Sequence, residues 1–338
     1  MEGLIGHIHL FAYFLVLISV LKKENEWLWF ARSLVGFGSL VIIYAYLQNL
    51  GRFAIHQSDF RLDATLGNAT YLAVFVIFQV FLIAFLFYRS QNFWFKTLYA
   101  FLFLIELPIL YLTATRGAIL GFLVGAGLFV TLIAVFSPNR KIRYSSFGVI
   151  ATLILIIGLF VTFKDSEFVQ SKPSLRRMAG ISFTETTVES RFTIWGMAYE
   201  GFKEKPILGW GPENFNIVFN KYYEPKLYKQ EPWFDRAHNV FFDWLITTGV
   251  LGLLIYLSLF IIPIYFVWKW FKEKLISLYE AVGVTSLFAA YGFHNLFVFD
   301  NLISYFLFFS VLGYIHYRYT ENKTTDEIGS TKEEVGII

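Results

Sequence analysis

Residues 236–268 read RAHNVFFDWLITTGVLGLLIYLSLFIIPIYFVW. After Arg236 and His238 the run carries a single charge, Asp243. A hydrocarbon core of ~30 Å needs about 20 apolar residues in helical form, so this stretch reads as a membrane span with room for an extramembrane turn. Residues 164–238 ahead of it form the one long polar segment of the chain. The stretch is therefore a junction, where a wet loop re-enters a bilayer through Arg236-Ala237-His238-Asn239.

Composition agrees along the whole length. The 338 residues are 57% hydrophobic and only 16% charged, with a mean hydropathy of +0.56. That excludes a soluble globular domain and indicates an all-α polytopic membrane protein. There is no cysteine, which removes disulfides, thiol nucleophiles and cysteine-ligated metals. The first apolar run lacks a basic leader and a small-residue cleavage site, so it reads as a retained span.

Working outward, about nine spans are predicted near 4–21, 28–50, 67–88, 96–114, 117–137, 147–163, 239–268, 277–297 and 301–318. The chain divides into six helices over 1–163, a large loop over 164–238, three helices over 239–320 and a disordered tail over 321–338. Pro108 and Pro263 are expected to kink their helices. Gly117, Gly121 and Gly125 recur every four residues and predict a smooth face for close helix packing. Lys22, Lys23, Arg89, Lys96, Arg140, Lys141, Arg143, Lys269, Lys272 and Lys274 fall on one side, which the positive-inside rule makes cytoplasmic. The N-terminus, residues 51–66, the turn at Arg116, the long loop and the turn at His294–Asn301 lie outside. An odd span count with an outer N-terminus suggests a chain lacking leading helices of a larger relative.

The positive-inside bias depletes outer arginines, so those that remain need a reason. Arg61, Arg116, Arg191 and Arg236 sit at helix mouths, where guanidinium forks suit a phosphate or pyrophosphate. Singly each reads as an interfacial anchor or salt bridge; as a set they read as an anion site. His238 is the candidate acid/base, kept neutral by a neighbouring arginine and oriented by Asn239 and Asp243. Five of the six histidines are placed outside, but no ligand spacing such as HExxH occurs, and no metal is expected. Glu106, inside the fourth span, is a secondary candidate because an intramembrane carboxylate is costly. No P-loop or GxGxxG supports nucleotide chemistry.

Inside the long loop, Phe192, Trp195, Ala198, Tyr199 and Phe202 have helical spacing. They predict an amphipathic helix over 190–204, capped by Ser190, lying on the membrane surface or on the bundle. Residues 206–215, with two prolines and two glycines, predict a fixed turn presenting Trp210. Trp210 and the aromatics after it suit a glycan, and equally an interfacial aromatic belt.

These motifs occur in a telling order: Thr115-Arg116-Gly117-Ala118, Arg191-Phe192-Thr193-Ile194-Trp195, Pro206 to Phe215, Ala237-His238-Asn239 and Thr248 to Leu254. Together they resemble the O-antigen ligase and polymerase family of bacterial membrane glycosyltransferases, over about residues 60–310. The resemblance implies a GT-C-like bundle in the bacterial cytoplasmic (inner) membrane, with no cofactor. It implies transfer of a glycan from an undecaprenyl-pyrophosphate carrier to a glycan, lipid A-core or protein acceptor on the outer face, among membrane lipids and without nucleic acid. By the family pattern His238 takes the acceptor proton while Arg191 and Arg116 hold the donor pyrophosphate. Arg61, Arg236, Trp210 and Asn239 are further substrate-binding candidates. Thr247, where the family often has an acidic residue, departs from the pattern. A protein O-oligosaccharyltransferase of the same fold is one alternative reading. A lipid-linked glycan flippase is another, which predicts charge through the middle of the bundle rather than at one end.

Overall fold

A computed structural model describes residues 3–57, 60–182, 185–229 and 233–335, with side chains placed as far as Glu321. The described residues contain helices and no strand. The first six helices run in hairpins: α1 (Leu4–Val20), α2 (Glu24–Asn49), α3 (Ala69–Arg89), α4 (Phe93–Leu112), α5 (Arg116–Phe136) and α6 (Arg140–Thr162). The long loop folds into α7 (Glu167–Gln170), α8 (Pro173–Ala179), α9 (Thr186–Glu204) and α10 (Phe215–Lys221). The chain closes with α11 (Val240–Lys272), α12 (Leu278–Asn295) and α13 (Leu302–Val335).

Among the described residues, α2, α3, α4, α5, α6 and α11 are long and apolar enough to cross a membrane. That is six rather than the nine expected. With 17 residues α1 is short. In α12, Glu280, His294 and Asn295 dilute the apolar run, and the last helix is described as far as Val335.

The centre of the bundle is α3, which buries Leu72, Ala73, Val74, Val76, Ile77, Phe78 and Val80. Its opposite is α6, where only Ser146 is buried and an apolar surface faces outward all round, as a lipid-facing helix should. The glycine face of α5 behaves as predicted, with α12 lying in it. A Cβ on Gly121 would come 2.6 Å from Ala290 O, and one on Gly125 2.7 Å from Ser286 O. This contact sets the C-terminal end of α12 beside Gly117, the neighbour of Arg116.

The break in α11 falls at Gly249 (φ 68°, ψ −167°), the turn for which the long apolar run left room. On that break sits the Pro206–Pro212 turn. Trp210 N donates to Ile246 O (2.8 Å), Gly211 N to Thr247 O (2.8 Å) and Val250 N to Pro206 O (2.8 Å). The amphipathic helix starts earlier than predicted, at Thr186 with Glu185 at the cap position. Ser190 is therefore internal, its hydroxyl turned back onto Thr186 O (2.8 Å). Of the two places offered for this helix, it takes the bundle. Ile194, Met197 and Ala198 pack with Phe215, Val218, Phe219 and Ile246 into a second small core.

Candidate active site

Four guanidinium groups meet where α5, α8, α9 and the 51–66 loop converge. Arg116 opens α5; its Nε donates to Arg177 O at 2.6 Å and its guanidinium pairs with Glu185. That pairing explains why Glu185 stands at the cap position of α9 without capping it. Arg61 is tied down by Thr113 O and Thr115 Oγ1, both at 3.0 Å. Its loop is locked by buried Asp63, which accepts from Gln48 Nε2 (2.7 Å) and His56 N (2.9 Å).

The remaining two members are Arg177 and Arg191. Burial, with the charges of Arg116 and Arg177 behind it, lowers Arg191 to about 10. Burial and then Arg116 lower Arg177, and burial and then Arg177 lower Arg61 to about 10. Only Glu185 opposes these effects on Arg191 and Arg177. The Arg177 Nε is enclosed with no hydrogen-bond partner among the described residues. A set of partly buried cations with one carboxylate among them is short of negative charge, and an anion would supply it.

His238 lies on the far side of Arg191, at the mouth of α11. Its backbone is left-handed (φ 53°), a strained conformation for a residue with a Cβ. Two contacts hold the chain on either side of it. Asp243 Oδ1 accepts from Ala237 N at 2.7 Å, and Asn239 Oδ1 caps α11 through Phe241 N (3.0 Å) and Phe242 N (3.3 Å). The imidazole stands edge-on to Phe234 (5.5 Å) and Phe299 (5.4 Å). Its Nδ1 lies 3.3 Å from Arg236 O. A proton on Nδ1 makes that hydrogen bond and leaves Nε2 with a free lone pair. Burial first, and the Arg191 charge after the opposing Arg236 carbonyl, hold His238 below its ordinary value of 6.5. At neutral pH it is a base.

The structure thus brings Arg61, Arg116, Arg191 and His238 together. Arg236 is beside His238, but its guanidinium lies over Phe299 at 4.6 Å and pairs with Asp235 at 3.6 Å. Asn239 is 3% exposed, and its amide oxygen is committed to the helix cap, so it orients His238 through the backbone. Trp210 also has a structural place: its Nε1 donates to Gly201 O (2.8 Å) and Lys205 covers its ring at 4.1 Å. Glu106 is fully buried in α4, with neither carboxylate oxygen hydrogen-bonded among the described residues.

Arg177 and Glu185 are the site residues that sequence reasoning missed. Arg177 stands in the long loop, where the charge rule that made Arg61 and Arg116 conspicuous has little force, and unlike Arg191 in the same loop it belongs to none of the motifs. Among the described residues no group of three or more His, Asp or Glu side chains is arranged to hold a metal ion.

A helical membrane bundle with a guanidinium cluster and a neutral imidazole at one end has groups that can bind an anion and accept a proton. Residues 101–257 match the model of the family described as O-antigen ligase. That match bears out the resemblance carried by the motifs and gives the protein a glycosyltransferase-type domain spanning Arg116, Arg177, Arg191 and His238. No curated protein matches the chain significantly.

Proposed function

We propose that the protein transfers a glycan from undecaprenyl pyrophosphate to an acceptor hydroxyl at the outer face of the bacterial cytoplasmic membrane, as a surface-glycan ligase or polymerase. One observation carries the reading. Arg191 makes no side-chain hydrogen bond or ion pair among the described residues; the charges of Arg116 and Arg177 bear on it, and its own charge bears on His238. It joins an anion site to a base.

In the proposed step the acceptor O–H gives its proton to His238 Nε2 while its oxygen attacks the anomeric carbon. The bond from that carbon to the pyrophosphate oxygen breaks, and the pyrophosphate leaves with the electron pair. A single displacement of this kind inverts the anomeric centre. The negative charge growing on the leaving group is met by Arg116, Arg177 and Arg191, which take the role a metal ion has in other phosphate chemistry. No nucleotide is needed, because the lipid pyrophosphate is already an activated leaving group. Charge gathered at one end of the bundle favours transfer over transport.

The test is transfer in vitro from a polyprenyl-pyrophosphate glycan, comparing wild type with Arg191→Lys and Arg191→Ala. Removal of one such donor elsewhere costs roughly 10²–10³ in kcat. Arg191→Ala should fall in that range, with Arg191→Lys recovering part of it as a point charge. Full transfer by Arg191→Ala would refute the assignment.

A further inference from the structure

Phe299 is shared between His238 and a second space. One contact of its ring is the edge of His238, and Arg236 lies over it. It also lines a cavity of about 50 Å³ together with Glu213, Asp243, Trp244, Thr247, Thr248 and Asp300. We propose that this cavity seats the acceptor sugar beside His238, and that it selects a neutral or amino-substituted sugar over a phosphorylated or acidic one. The inference rests on the transfer reaction above and adds the chemical class of its second substrate.

Charge is the first reason. The lining holds Glu213, Asp243 and Asp300 and no lysine or arginine. Asp300 is buried, its pKa raised by that burial and its oxygens accepting from Tyr256, Tyr291, Asn295 and Ser304, so the charge offered to a ligand is that of Glu213 and Asp243. A phosphate entering there would meet like charge, whereas an ammonium would be paired. The two halves of the site therefore sort their substrates, with the pyrophosphate drawn to the arginines and a donor-rich sugar to the carboxylates.

Hydrogen-bonding sense is the second. His7 also lines the cavity. Its Nδ1 lies 3.1 Å from Gly3 O, a bond that requires the proton on Nδ1 and leaves Nε2 an acceptor. That Nε2 is enclosed with no partner among the described residues. Carboxylates and an imidazole lone pair are acceptors, so the matching ligand brings donors, as hydroxyl and ammonium groups do and a phosphate dianion does not. Trp244 and Phe299 add the apolar faces on which sugar rings stack.

Shape and stiffness agree. A water-sized group needs about 10–15 Å³ of such space, so the cavity takes a few groups, the size of one edge of a sugar ring with its substituents. The wall is also fixed in advance. Asp300 accepts from Tyr256 Oη (3.0 Å), Asn295 Nδ2 (3.3 Å) and Ser304 Oγ (3.3 Å), and Trp244 stacks on Tyr256 at 5.1 Å.

The experiment measures binding of three probes to the full-length protein in detergent: methyl glucosaminide, methyl glucoside and glucose 6-phosphate. The expected order is glucosaminide tightest, glucoside next and glucose 6-phosphate weakest. Glu213 is exposed, and Glu213→Gln should weaken glucosaminide about fivefold while moving glucoside less than about twofold. Glucose 6-phosphate binding as tightly as glucosaminide would overturn the proposal, as would an unchanged glucosaminide preference in a Glu213→Gln protein that melts like wild type. Inorganic pyrophosphate binding is measured in parallel. Its absence would count against the donor reading alone and leave the sugar order standing.

Discussion

At the scale of single residues the site is a matter of charge held in the wrong place until a substrate arrives. His238 is the sharpest case. Its lowered pKa means that the unfolded chain binds a proton more readily than the folded one as pH drops through 6.5. In that window below 6.5 the neutral imidazole costs stability as the medium acidifies, and the base is lost only at the still lower folded value. The acid limb of the transfer rate should therefore have its midpoint below 6.5. Arg191 is one of the charges depressing His238, so the residual activity of Arg191→Ala should show that limb moved to higher pH. A limb that stayed put or moved down would detach Arg191 from His238. His238→Ala should lose about 10²–10⁴ in rate at neutral pH, the range for a positioned base. His238, Arg116 and Arg61 were legible in the sequence because outer arginines in short connections and a re-entrant histidine break a charge rule, and Arg191 because it opens the Arg191-Phe192-Thr193-Ile194-Trp195 motif. Arg177 was not, since a basic residue in a long loop breaks no such rule and it stands in no motif. In the sequence Asn239 reads both as orienting His238 and as a substrate contact, and Trp210 as a substrate contact on a fixed turn; their hydrogen bonds show that one caps α11 and the other pins the turn.

At the scale of elements the decisive contact is between the Pro206–Pro212 turn and the break in α11, since it fixes the loop that carries Arg191 to the helix that begins at His238. Gly249 makes that contact possible twice over. Its φ of 68° with ψ of −167° is a conformation essentially confined to glycine, and a Cβ there would come 2.2 Å from Ile207 O. Gly249→Ala should cost at least ~1–3 kcal/mol from the backbone alone, read as a lowered Tm, and should reduce transfer by loosening the loop. Gly283 is the control. It lies inside α12 with open space where a Cβ would go, so Gly283→Ala should raise stability by up to ~1 kcal/mol. Equal effects at the two glycines would show that the docked turn does not depend on Gly249. The sequence signalled the turn, because two prolines and two glycines in ten residues admit little else, and separately a long apolar run with room for a break. That the two were seated on each other was not legible, since the pairing uses backbone groups that any residue possesses.

At the scale of the whole molecule, the same patterns that made the spans readable also set the limits of that reading. Apolar runs flanked by Lys and Arg locate α2 to α6 and α11, because hydrocarbon thickness and loop charge act on every crossing alike. The 17-residue α1 falls short by length alone, and for α12 these patterns do less well. There, polar side chains such as Glu280 and His294 are satisfied or enclosed by neighbouring helices, and hydropathy counts them as if they faced lipid. At the end opposite the site Arg89 bridges Glu24 and Glu280, joining α2, α3 and α12, and the positive-inside rule predicts that this basic end is cytoplasmic. The active-site end should then face away from the cytoplasm. A chain without cysteine permits a direct test with single-cysteine variants in intact cells. Lys172→Cys, in the long loop, should react with a membrane-impermeant maleimide added outside, and Lys141→Cys, before the body of α6, only after the membrane is opened. Both positions are exposed, so failure to label reports sidedness rather than burial. Labelling of Lys141→Cys from outside would invert the bundle and put the guanidinium cluster on the side where the carrier lipid's glycan is assembled rather than transferred. That outcome would remove the proposed reaction whatever the chemistry of His238.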